Sequence, residues 1–239
     1  MKGYKPKEFF IPKVKGISTS GSRKQIINLG SNVKKFGNVK KDKNKTRHKR
    51  VSDSEVKLGK SDLDAYRAEI NVPNRDTVAI GKTDIKGLEG YTFKGASPEV
   101  IKEGKLDSLD KRYPNRETRA PYDRAIKGHP QFMNHAEEGV IAEFEDSVKK
   151  TGLKPEDVKG NLYIHQSNPK GICNKCTLGL FEPHPGGKKG IFKQLTEKYP
   201  NLTIKASTEI NPTVKPRDTL SFEVTNGITK NVVNNRKCK

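Results

Sequence analysis

Residues 162–176, LYIHQSNPKGICNKC, run from a strand through a turn into a helix. Leu162–Ser167 is rich in strand-forming side chains. Asn168-Pro169-Lys170-Gly171 is a turn, because Pro presets its own φ, Asn bonds its own backbone, and Gly takes conformations closed to other residues. A short helix is expected over Cys173–Phe181, with Cys-x-x-Cys in its first turn.

Working outward, the helical and extended patterns alternate. Upstream, Asn134 to Lys150 is the clearest helix: Val140, Ile141, Phe144 and Val148 repeat at helical spacing. Asn134 is its expected cap, Lys149 and Lys150 suit its last turn, and Gly152 is its stop. Further back, Thr77–Gly81 and Gly90–Lys94 read as strands, and Ser97-Pro98-Glu99 as a helix start. Arg112 to Pro130 reads as a loop. Downstream, Lys189–Lys198 reads as a helix carrying Ile191, Phe192 and Leu195, ended by Pro200, and Leu202–Ser207 and Thr219–Thr225 read as strands. The order β-β-α-β-α-α-β-β implies a sheet covered by helices, an α/β sandwich.

The charge is uneven. The 239 residues hold 48 Lys+Arg against 28 Asp+Glu, a formal net charge of +20. Residues 1–50 hold 16 basic and 2 acidic side chains, and Lys40 to Arg50 is almost continuous charge. With weak periodicity up to about residue 65, residues 1–70 are expected to be a basic, largely disordered arm or linker, with a short helix near Ser61–Ala68. Such an arm suits a polyanion, since Lys and Arg beside phosphates release counterions. Residues 71–239 are expected to form the second domain. No apolar run approaches the roughly 18 residues of a spanning helix. The N-terminus lacks the apolar core of an ordinary secretory signal. Three cysteines make no disulfide framework.

The chemistry sits in His135, Glu137, Cys173 and Cys176. His135 opens the long helix and the cysteines open the next one. Two such helix starts side by side would bring one imidazole and two thiolates together, a donor set for Zn²⁺. Helix N-termini also favour thiolate over thiol. Three protein ligands leave a position for water, as catalytic zinc sites do. A bound Zn²⁺ acidifies water, and Glu137, two residues after the histidine, is placed to move protons.

His-x-Glu followed by Cys-x-x-Cys is the zinc nucleobase deaminase signature. From about Asp76 onward the chain resembles the cytidine deaminase-like superfamily. Within it, the chain resembles the bacterial polymorphic-toxin deaminases, a branch that includes interbacterial DNA cytosine deaminase toxins. Residues 134–138 (NHAEE), 162–176 and 198–204 (KYPNLTI) carry the resemblance. It implies a three-layer sandwich with a mixed sheet of about five strands and helices on both faces. His135, Cys173 and Cys176 would hold one catalytic zinc ion, and Glu137 would be the proton shuttle. The common signature has Pro directly before the first Cys, whereas here Pro169 precedes Cys173 by four positions; the toxin branch resembles this Asn-Pro-x-Gly-x-Cys form. The resemblance further implies cytosine-to-uracil conversion in nucleic acid, DNA favoured, and a cognate immunity protein. It also implies delivery by a specialised secretion system into a target cell's cytoplasm.

Alternatives follow from what the motif leaves open. Adenine or a free nucleoside could be the substrate. A nucleic-acid-binding module with a structural zinc would need a fourth ligand, from Cys238, His165, His184 or His129. Substrate-contact candidates are Asn168 at the strand end (or simply a turn former), Phe132 (with Met133) for base stacking, and His165. Arg112, Arg116, Arg119 and Arg124 are candidates for phosphate contact, with solubility as the plain reading. Glu138 points roughly 100° from Glu137 on a helix and is expected to be structural or capping.

Overall fold

The computed structural model describes residues 56–121, 134–181 and 189–234. In chain order the elements are α1 (Lys60–Glu69), β1 (Val78–Thr83), β2 (Thr92–Ala96), α2 (Pro98–Glu103), α3 (Leu109–Arg112), α4 (Ala136–Thr151), β3 (Gly160–Gln166), α5 (Asn174–Phe181), α6 (Ile191–Lys198), β4 (Leu202–Thr208), β5 (Thr219–Thr225) and β6 (Ile228–Asn234). One six-stranded sheet has the order β2-β1-β3-β4-β5-β6. Only β3 and β4 run parallel, with Ile164 beside Ala206; all other neighbours are antiparallel. A parallel pair needs a crossover, and α5 and α6 supply it.

Strand alternation sorts the helices into two layers. Val78 and Ile80 of β1 pack with Leu63 and Tyr66 of α1 and Val100 of α2. Ala79, between them, belongs to the other cluster, with Val140 and Phe144 of α4, Leu180 of α5, and Phe192 and Leu195 of α6. The result is a three-layer sandwich, α1 and α2 on one face and α4, α5 and α6 on the other, as expected for this α/β class. The α4 layer holds the larger core: Phe144 meets Phe93 edge-on at 5.3 Å, and Phe192 meets Phe222 at 5.0 Å.

One contact sets where α4 begins. A Cβ on Gly95 of β2 would lie 1.8 Å from the Ala136 carbonyl oxygen, and one on Gly139 would lie 2.7 Å from the Gly95 Cα. Two glycines therefore let the first turn of α4 rest directly on the strand.

Three expectations change. The sheet has six strands rather than about five. The sixth follows Asn226 (φ 45°) and Gly227 (φ 72°), a two-residue turn with both φ positive, which returns the chain as a hairpin. The arm does not extend to residue 70: α1, longer than the expected 61–68, buries Leu63 and Tyr66 against β1 and belongs to the compact unit Val51–Lys239. The disordered arm expected over residues 1–55 lies outside the described residues. Finally, the cap of α4 is His135 rather than Asn134, whose φ of +61° places it one step before the helix. Among the described residues no helix is long and apolar enough to cross a membrane.

Candidate metal centre

Two helix starts converge, and the ligands sit on them because of local backbone demands. His135 caps α4 with an extended ψ of 158°, and its carbonyl accepts the Gly139 N–H. Cys173 directly precedes α5; its carbonyl accepts the Thr177 N–H, and its Sγ lies 3.4 Å from the Cys176 backbone nitrogen, which donates to it. The loop from β3 to α5 is held from outside. Lys170 O accepts the Arg217 and Asp218 N–H groups, and Ile172 N–H donates to Thr219 O at 2.7 Å. Gly171 has φ +111°, and a Cβ there would lie 2.9 Å from Thr219 O, so only glycine passes under the start of β5.

His135 Nδ1 lies 3.2 Å from Cys176 Sγ and 3.4 Å from Cys173 Sγ. All three donor atoms fall within 4.8 Å of one another, each residue half-buried. Zinc bonds of about 2.3 Å to sulfur and about 2.0–2.1 Å to nitrogen put tetrahedral ligands about 3.5–3.8 Å apart. The trio therefore fits a zinc ion with a slight spreading. Among the described residues no fourth His, Cys, Asp or Glu joins this group.

The electrostatics suit a cation. The hydrogen bond from the Cys176 thiol holds the Cys173 thiol down at about 4; burial opposes this and His135 reinforces it. The same bond and burial drive Cys176 well above its ordinary value. Glu137, in the first turn of α4, is 4% exposed. Burial raises its pKa, His135 opposes that, and the Cys173 thiolate adds to it. Glu137 is thus a carboxyl pushed upward beside the three candidate donor atoms.

The other candidates fall elsewhere. His165 pairs with Ile80 across β1 and so shares the α1 face of the sheet, opposite the cysteines. Its Nδ1 lies 2.9 Å from Ser207 Oγ and its Nε2 3.1 Å from Glu209 Oε2, so it is a satisfied packed histidine rather than a metal-site group. Asn168 acts as the turn former: its Oδ1 accepts the Lys170 N–H at 3.1 Å and its carbonyl accepts Thr208 Oγ1. It also lines a hollow of about 450 Å³ with Arg67, Asp76 and Glu209. Phe132, Met133, Arg124, His129, His184 and Cys238 lie outside the described residues. Arg116 is not a phosphate-facing side chain: it is 3% exposed and paired with Glu138. Arg119 is half-exposed and paired with Asp110 at 2.7 Å.

Glu138, expected to be structural or capping, is the third helical residue of α4 and reaches back over the helix start to the Asn134 N–H. Sequence reasoning missed its link to Arg116 and the Thr219 anchor. Arg116, 22 positions upstream, carried no signal of that link. Comparison with protein-family models, with curated proteins and with solved structures finds no match.

Proposed function

We propose that this chain is a zinc-dependent deaminase of the cytidine deaminase-like kind, converting cytosine to uracil in nucleic acid, with DNA the favoured substrate. We further propose that it acts as a bacterial toxin delivered into a target cell and checked by a cognate immunity protein. One observation carries the reading: His135, Cys173 and Cys176 converge from two helix starts, with buried Glu137 two positions from the histidine.

His135, Cys173 and Cys176 would hold the ion. Zinc, when bound, supplies Lewis acidity that brings water's pKa down to about 7. Glu137 takes a proton from the water and returns it to the departing nitrogen. Burial raises the Glu137 pKa, which makes the carboxylate a better acceptor for that proton. Water and cytosine give uracil and ammonia, so no oxidant or second cofactor is required. The formal charge of +20 favours a polynucleotide over a free nucleoside. An immunity protein with an acidic face would complement the same charge.

The test is a cytosine-containing oligonucleotide incubated with zinc-loaded protein, then treated to cleave at uracil. Cleavage products should form with the wild type and not with Glu137→Gln, which should keep its zinc. A metal held by four protein ligands, with no uracil from any substrate, would replace this reading with a structural zinc in a binding module.

A further inference from the structure

Behind the metal centre lies a second polar group that touches none of its donor atoms among the contacts described above. Glu138 follows Glu137, and its carboxylate is bonded to the backbone on either side of residues 121–133. Its Oε2 accepts the Asn134 N–H at 2.9 Å, and its Oε1 accepts the Ala120 N–H at 3.2 Å. One carboxylate thus accepts backbone donors from both sides of residues 121–133. Arg116 Nη2 bridges the group, 3.3 Å from Glu138 Oε1 and 3.2 Å from Asn134 Oδ1, while its Nη1 pairs with Asp110 at 2.7 Å. The Arg116 and Glu138 side chains are 3% and 2% exposed.

Asn134 is the residue next to His135, and its φ of +61° lies in the left-handed region, which Asn adopts more readily than most side chains. Both its N–H and its side-chain oxygen are held by this pair. The residue through which the chain enters α4 is thus held from behind.

We propose that Arg116 and Glu138 are positioning residues that, through Asn134, hold His135 in its metal-binding orientation. This rests on the metal-centre reading above. Partners that orient a metal ligand from behind typically contribute about 10–100-fold in metal affinity. Gln at position 138 offers one acceptor oxygen where Glu offers two, so it cannot hold the Ala120 and Asn134 donors together with Arg116.

Zinc affinity would be measured by competition with a chromophoric chelator, and the ligand field by the absorption spectrum after cobalt substitution. The variants are Glu138→Gln, the double variant Arg116→Met with Glu138→Gln, Glu145→Gln and His135→Ala. Glu145 is the control: it too is a buried α4 carboxylate that ties down the same upstream segment, accepting the Thr118 N–H and hydroxyl at 3.1 and 3.0 Å. We expect Glu138→Gln to bind zinc about 10–100-fold more weakly, with cobalt bands shifted towards those of His135→Ala, and Glu145→Gln to bind as the wild type does. The double variant removes the buried guanidinium, which Glu138→Gln would leave with Asp110 as its remaining carboxylate partner, and should recover thermal stability while its zinc affinity stays low. Equal affinities for Glu138→Gln and wild type, equal losses in Glu138→Gln and Glu145→Gln, or affinity recovering with stability in the double variant would each overturn the positioning role. Wild type that takes up no zinc would instead overturn the metal centre itself.

Discussion

The two faces of the sheet treat their polar residues differently. On the α4 face the helices cover the strands, and at its edge His135, Glu137, Cys173 and Cys176 gather where two helices begin. On the α1 face the cover is shorter: α1 and α2 pack on β1 and β2, while Tyr163, Lys205, Ser207, Ser221 and Glu223 line a shallow hollow of about 360 Å³. There His165 is held between Ser207 Oγ and Glu209 Oε2. The difference teaches that residue type does not mark chemistry. A histidine on a strand face is satisfied by its neighbours across the sheet, whereas a histidine at a helix start can be aimed at cysteines 38 and 41 positions away.

The sharpest way to break this contrast is to exchange the roles. Cys173→Ala should lower zinc affinity by more than about 100-fold, because a structural or catalytic site is built from its ligands. His165→Ala should leave metal uptake as it is, as read by the same chelator competition. A comparable loss in both variants would erase the distinction between the faces.

Next in size is the packing that seats α4. Gly95→Ala puts a methyl into the Ala136 carbonyl. Overpacking of this kind costs about 1–3 kcal/mol, occasionally more, and here it must also shift the helix that carries His135. Denaturant unfolding should show the destabilisation, and zinc affinity should fall with it.

Smaller still is the polar network of the open face. Ser207→Ala removes one partner of His165 and should cost about 1 kcal/mol in unfolding free energy, with uracil formation unchanged.

The smallest effect concerns acid stability. The hydrogen bonds of Lys149 and Lys198 hold the Glu117 carboxyl down at about 2, against the usual 4.5. A depressed pKa contributes stability that is complete above pH 4.5 and is lost as pH falls through about 2. The group is 60% exposed, so screening keeps the contribution below about 1 kcal/mol. Glu117→Gln should flatten the pH profile of stability over that window, and 1 M salt should shrink the difference.

Much of this arrangement is legible along the chain. The face of α4 shows in Val140, Ile141, Phe144 and Val148, and all four are buried together. The turn before Cys173 shows in Asn168, Pro169 and Gly171. The candidate metal donors show as a spacing, because they lie at or within the first turn of two helices and local rules place helix starts. What was not legible is of two kinds. β6 (Ile228–Asn234) is an exposed edge strand with little apolar alternation; its clearest signal was the Asn226-Gly227 pair, not the strand itself. The Arg116–Glu138 pair and the sidedness of His165 depend on which strands are neighbours, and no local pattern encodes that. His165 faces away from the cysteines because it pairs with Ile80 in register, and a one-residue slip would turn it to the other face.

Hydrolytic deamination at the α4 edge of the sheet, as proposed above, is checked by sequencing mixed DNA and RNA pools after incubation with zinc-loaded wild type and, in parallel, with Glu137→Gln. Cytosine should be read as thymine in at least one wild-type pool, most strongly in DNA, with no such change for the variant. Unchanged sequences in every wild-type pool, from protein shown to hold one zinc ion, would contradict the proposal.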